Sequence, residues 1–200
     1  MPRPPSRTAA AGRVGTALAT AALVWFAGTA LAQSAERLAV CAACHGAQGI
    51  SASPQIPSLA AQPKIFVENQ LVLIREGLRE VPQMKGLLDG LPDTELSALA
   101  SHFQALPAPG PATGPVQAEQ FQRGKALARA ALCGTCHLPD FSGRQQIPRL
   151  AGQHEAFLLD TMKQFRDHAG PGRDTIMSAS LHGINNAQLA DLAHYFANFR

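Results

Sequence analysis

The chain has 200 residues, 46% of them hydrophobic, and a formal net charge of +3 that resides in its first 32 residues, where Arg3, Arg7 and Arg13 meet no acid. Beyond them fourteen basic side chains balance fourteen acidic ones, which argues against a nucleic-acid binder, since that needs a concentrated basic face. About 168 residues allow one domain or two small ones.

Taken in chain order, residues 1–32 read as an export signal: basic residues, an apolar run from Val14 to Ala30, and a small-x-small cleavage site at Ala30-Leu31-Ala32. Cleavage would start the mature chain at Gln33 in the periplasm; a retained segment would tether it to the membrane. Residues 33–106 are expected to form a first domain, with a helix after Pro63 carrying Val67, Leu71 and Ile74 and another after Pro92 carrying Leu96, Leu99, Ala100 and Phe103. Residues 107–115, with four prolines, break the helix and form a semi-rigid linker. Residues 116–200 form a second domain. It opens on a helix from about Ala118 to Ala131 and closes on one capped by Asn185 or Asn186, with Leu189, Leu192, Ala193 and Phe196 inward. No segment alternates convincingly as a strand, so the fold class is all-α.

The two domains are a tandem duplication. Cys41-Ala42-Ala43-Cys44-His45 recurs as Cys133-Gly134-Thr135-Cys136-His137, and Ile56-Pro57-Ser58-Leu59-Ala60-Ala61-Gln62 as Ile147-Pro148-Arg149-Leu150-Ala151-Gly152-Gln153. Phe66, Arg75, Met84 and Gly90 match Phe157, Arg166, Met177 and Gly183 at offsets of 91 to 93 residues.

Two thiols one helical turn apart can form thioethers with the two vinyl groups of one haem, and the next residue, histidine, then faces the iron. Cys41, Cys44 and His45, and Cys133, Cys136 and His137, are thus candidates for two covalent haem c sites. A shared zinc site would leave the duplication unexplained, and no βαβ pattern supports a thioredoxin-like dithiol.

For the opposite axial position the candidates are Met84 and Met177, each in a loop-like stretch and each the other's repeat partner; the alternative is a different ligand or an open iron. Met162 matches Leu71 inside a helix and reads as core. His102, His154, His168, His182 and His194 have no histidine at the matching position and read as surface or interface residues. Pro57 and Pro148 lie at similar distances after their motifs. Their carbonyls could accept from Nδ1 of His45 and His137, or the prolines could simply form turns; the sequence leaves both open.

These residues together resemble the dihaem cytochromes c4, class I cytochromes c, over nearly the whole mature chain. The resemblance implies two small helical bundles, each around one haem with His and Met ligands, and a proline carbonyl bonded to each axial histidine. It implies an electron carrier rather than an enzyme, moving electrons between a redox donor and acceptor, respiratory or dehydrogenase. The alternatives are a dedicated cytochrome subunit of a dehydrogenase and, from another class, a dihaem peroxidase. Two departures from the family stand out. A glycine of the opening helix packs on an aromatic of the closing helix, as Gly124 could with Tyr195 or Phe196, but its counterpart in the first domain is Ala32. The segment 138–144 after the second motif also diverges from Gly46-Ala47-Gln48-Gly49-Ile50.

Overall fold

The computed structural model describes Met1, residues 36–168 and residues 172–200. The expected export signal, and Ala32 with it, lie outside the described residues. Backbone packing separates Met1–Arg37 from Leu38–Arg200, and the second of these is one compact unit. Helix α1, described over 36–45, ends on the first cysteine motif. It is followed by α2 (Lys64–Arg75), a 3-10 turn (Pro82–Met84), α3 (Asp93–Ala105), α4 (Ala118–Ala130), α5 (Cys133–His137), α6 (Glu155–Asp167), α7 (Thr175–Ser180) and α8 (Asn186–Ala197). Among the described residues there is no strand; an isolated antiparallel bridge joins Arg144 and Ile147.

Two apolar cores form, one in each half of the repeat. In the first, Leu96, Leu99, Ala100 and Phe103 of α3 sit at the i, i+3, i+4, i+7 spacing of one helix face and meet Val67 and Leu71 of α2. In the second, Leu189, Leu192, Ala193 and Phe196 of α8 repeat the stripe and pack with Leu158 and Met162 of α6. Met162 is core, as its pairing with Leu71 implied. Asn185 is the cap of α8: its side chain accepts from Gln188 N–H while the Gln188 side chain accepts from Asn185 N–H, a reciprocal capping box.

The second core has an extra layer. Helix α4 lies so close to α8 that a Cβ on Gly124 would stand 2.1 Å from the Asp191 carbonyl oxygen and 2.7 Å from Tyr195 Cβ. Arg123 reinforces the crossing with two 2.9 Å hydrogen bonds to the Asp191 carboxylate. The linker is docked rather than free: Ala112 N–H donates to Ala197 O at 2.9 Å, and Gly152 lies against the carbonyls of Pro109 and Gly110.

The halves meet through reciprocal contacts between repeat-equivalent residues. Phe66 N–H donates to Gln145 O at 2.9 Å, and Phe157 N–H to Pro54 O at 3.1 Å. Gln62 pairs with the Arg149 backbone, and Gln153 with the Ser58 backbone. Residue i touching j′ while j touches i′ is the pattern of a two-fold interface, here built within one chain.

Gly124→Ala tests the α4–α8 approach. Free of a clash, alanine would stabilise a helix interior by about 0.5–1 kcal/mol over glycine; backbone overlap reverses the sign, and denaturant unfolding of the haem-loaded protein is expected to show a loss of about 3 kcal/mol.

Candidate haem centres

Each motif is held in a tight turn that ends in left-handed backbone. The first closes α1 and is followed by Gly46 at φ 81°; the second is the five-residue α5, flanked by Leu132 at φ 56° and Leu138 at φ 69°. One helical turn puts the paired cysteines of each motif on the same side. No disulfide joins any of the four. Cys41 and Cys133 are half-buried while Cys44 and Cys136 are exposed, and burial raises the Cys133 thiol pKa.

Both histidines are buried. His45 Nδ1–H donates to Pro57 O at 2.9 Å, and His137 Nδ1–H donates to Pro148 O at 2.8 Å. A carbonyl only accepts, so it fixes the proton on Nδ1 and leaves the Nε2 lone pair for a metal. Burial lowers both ring pKa values, with the carbonyl bond pulling the other way. Burial thus favours the neutral ring, the form that ligates. Of the two roles left open for Pro57 and Pro148, the structure shows the acceptor.

The methionines approach the same cores. Met84 packs on the first cluster, as do Cys41 and Leu59, and Met177 on the second, as do Cys133 and Leu150. Their local structures differ from the expected loops. Met84 ends the 3-10 turn begun by Pro82, with no side-chain cap. Met177 lies inside α7, because Asp174 caps that helix by accepting from Met177 N–H at 2.9 Å. Val81 stands where Asp174 does, so the first half cannot build that cap.

The matched arginines tie each methionine segment to the helix before it. Arg75 Nη1 donates to Leu91 O at 2.7 Å and meets Asp93 at 2.8 Å; Arg166 Nη1 donates to Ile184 O at 2.9 Å and Arg166 Nη2 to Asn186 Oδ1 at 2.8 Å. Their identity in the repeat was the signal for this role, though repetition alone does not say what an arginine holds. Gly90 and Gly183, at φ 69° and 79°, supply the left-handed turn that brings these carbonyls back.

The divergent segment 138–144 keeps the backbone pattern of the first half. Gly49 O accepts from Leu59 and Ala60 N–H, and Phe141 O from Leu150 and Ala151 N–H. The difference is the side chain: Phe141 stacks edge-on with Tyr195, Phe196 and Phe199 at 4.8–5.6 Å between centroids. Of the remaining histidines, His154 fits the interface reading, with Nε2 on Ser51 O at 2.9 Å. His194 does not fit a surface reading. It is buried, accepts at Nε2 from Gln117 N–H and donates from Nδ1 to Glu155, so it locks the start of α4 to α6 and α8.

The donor set fits haem c twice over: paired thiols free of disulfides, a neutral histidine with Nε2 available, and a thioether on the same core. Among the described residues no three His, Cys, Asp or Glu side chains are grouped as a metal site.

A family model described as cytochrome c matches residues 121–199. A cytochrome c4 from Pseudomonas aeruginosa is 32% identical to this chain, covering 80% of it and 83% of the relative. The chain belongs to the cytochrome c4 family. The fold agrees: reduced cytochrome c4 from Pseudomonas stutzeri superposes with a TM-score of 0.76 at 28% identity, over 84% of this chain and 97% of that one. A thiosulfate dehydrogenase electron acceptor from Thiomonas intermedia is 31% identical over 88% of this chain and 86% of its own. As a cytochrome c4 with both motifs intact, this chain carries two covalent haem c groups in two tandem cytochrome c folds. It is an electron-transfer protein, not an enzyme.

Replacing Arg75 or Arg166 by Gln is expected to speed hydrogen exchange in the neighbouring methionine segment, residues 84–91 or 177–184, and to leave the other half unchanged. Unaltered exchange in both segments would show that the arginines do not restrain them.

Proposed function

We propose that this cytochrome c4 is a periplasmic carrier, exported by residues 1–32 and cleaved before Gln33, that takes electrons from one redox protein and delivers them to another. Its domains in this reading are 33–106 and 116–200, with 107–115 as the connection. Among the described residues no helix is long and apolar enough to cross a membrane. The observation that supports the ligand assignment is the paired histidine geometry: twice, a proline carbonyl occupies Nδ1 and leaves Nε2 free for a metal, in a half whose apolar core also receives a methionine.

Cys41 and Cys44 would hold the first haem through thioethers, with His45 and Met84 as axial ligands; Cys133, Cys136, His137 and Met177 would hold the second. Haem with such ligands supplies a reversible one-electron couple whose potential the methionine raises. The chain's own contribution is to fix the ligands, keep the rings neutral and surround them with apolar side chains. Filling both axial positions leaves no coordination site for a substrate, which fits a carrier and disfavours a peroxidase.

A second reading is favoured by the likeness to a thiosulfate dehydrogenase electron acceptor: the donor is a periplasmic dehydrogenase, and the cytochrome is its dedicated acceptor or subunit. Purification of the native protein from a periplasmic extract, followed by haem absorbance, separates the two. A lone chain with two haems supports the mobile carrier; a stable stoichiometric complex supports the subunit.

For the ligands, Met84→Ala and Met177→Ala are each expected to remove one of the two methionine–iron absorption contributions and to lower one midpoint potential, while Met162→Leu removes neither. Retention of both contributions in Met84→Ala would overturn that assignment.

A further inference from the structure

The seam between the halves is bonded directly to the groups that hold the histidines. The Pro57 carbonyl and the Ser58 N–H belong to a single peptide unit. On one side the carbonyl accepts from His45 Nδ1–H at 2.9 Å; on the other, the N–H donates to Gln153 Oε1 at 2.9 Å. Gln153 Nε2 also donates to Ser58 O at 2.9 Å, so the amide grips this residue from both ends. The second half reciprocates. Pro148 O accepts from His137 at 2.8 Å, Arg149 N–H donates to Gln62 Oε1 at 3.0 Å, and Gln62 Nε2 donates to Arg149 O at 3.0 Å. Both glutamines are 4% exposed, and Ser58 is 1% exposed.

We propose that Gln153 is a positioning residue for His45, and Gln62 for His137, so that each half tunes the reduction equilibrium of the haem held by the other. This rests on the axial assignment made above. An acceptor on the N–H of a peptide polarises it and strengthens its carbonyl as an acceptor. A stronger acceptor draws on the Nδ1 proton, makes Nε2 more basic and favours ferric iron. The doubled grip also fixes the plane of the peptide, and with it the direction from which the carbonyl meets the ring. Removing the glutamine acceptor weakens the whole relay, and the affected iron becomes easier to reduce.

A merely structural interface would act differently. Buried amides satisfying backbone groups would, when removed, destabilise the contact and disturb both haems alike. The relay predicts a crossed effect, in which a substitution in one half reports in the other.

The test uses the full haem-loaded chain with Gln153→Leu and, separately, Gln62→Leu, since leucine fills much of the volume without hydrogen-bonding. Redox titration is followed by NMR, with the iron-bound methyl of Met84 reporting the first haem and that of Met177 the second. The reduced state gives the Nδ1–H signals of His45 and His137. Gln153→Leu is expected to raise the reduction equilibrium constant of the first haem by about threefold, a modest effect because the glutamine acts on the ring only through the peptide. It should shift the His45 Nδ1–H signal and leave the second haem unchanged; Gln62→Leu should do the converse. Equal shifts of both haems, a shift confined to the mutated half, or unchanged potentials in a folded variant would each overturn the proposal. Failure of the axial assignment shows earlier and separately, as missing iron-bound methionine signals in the unmutated protein, and overturns the proposal with it.

Discussion

Two peptide units, Pro57–Ser58 and Pro148–Arg149, each lie between a histidine ring on one side and a glutamine amide on the other. The histidine on one side and the glutamine on the other both bear on keeping those units still. A neutral, correctly protonated imidazole needs an acceptor at Nδ1; that acceptor needs a fixed backbone; the fixed backbone is bonded to the opposite half. Duplication made this possible, because a segment that meets its own copy across a two-fold relation supplies each side with the other's partner. Burial then gives the bonds their weight, since water cannot replace them.

Upon this shared frame the halves have diverged. The second adds α4, held to α8 by the close approach of Gly124, by Arg123 on Asp191 and by the buried His194. It also replaces the Gly49 side of its motif loop with Phe141, which fills the space beneath α8 with aromatic edges while the carbonyl keeps the same two donors. The same device is thus embedded in two surroundings. A more apolar, more completely walled surrounding favours the less charged iron state, so sequence divergence outside the ligands would shift one couple against the other.

Much of this was readable from residue order. The paired motifs, the 91- to 93-residue offset, the apolar stripes of α3 and α8 and the opening helix of the second half are local patterns whose spacing maps onto one helix face. Met162 could be read as core because its partner is Leu71. Other features resisted. Met177 lies on a capped helix and Met84 on a 3-10 turn, since a single exchange, Val81 against Asp174, decides whether a cap exists. His194 read as a surface or interface residue because nothing nearby in sequence announces that Gln117 and Glu155 converge on it. The glutamines were visible as repeat partners, yet their targets lie 87 and 95 residues away, and no spacing encodes a reciprocal contact.

The most direct measurement is hydrogen exchange at two amides, Ser58 and Arg149, in the reduced haem-loaded protein. If these peptide units hold the histidines in place through the glutamines of the opposite half, both N–H groups exchange only as slowly as the core helices α3 and α8, and the two are protected together. Rapid exchange at either one, with α3 and α8 still protected, would show that unit unpaired and contradict the account.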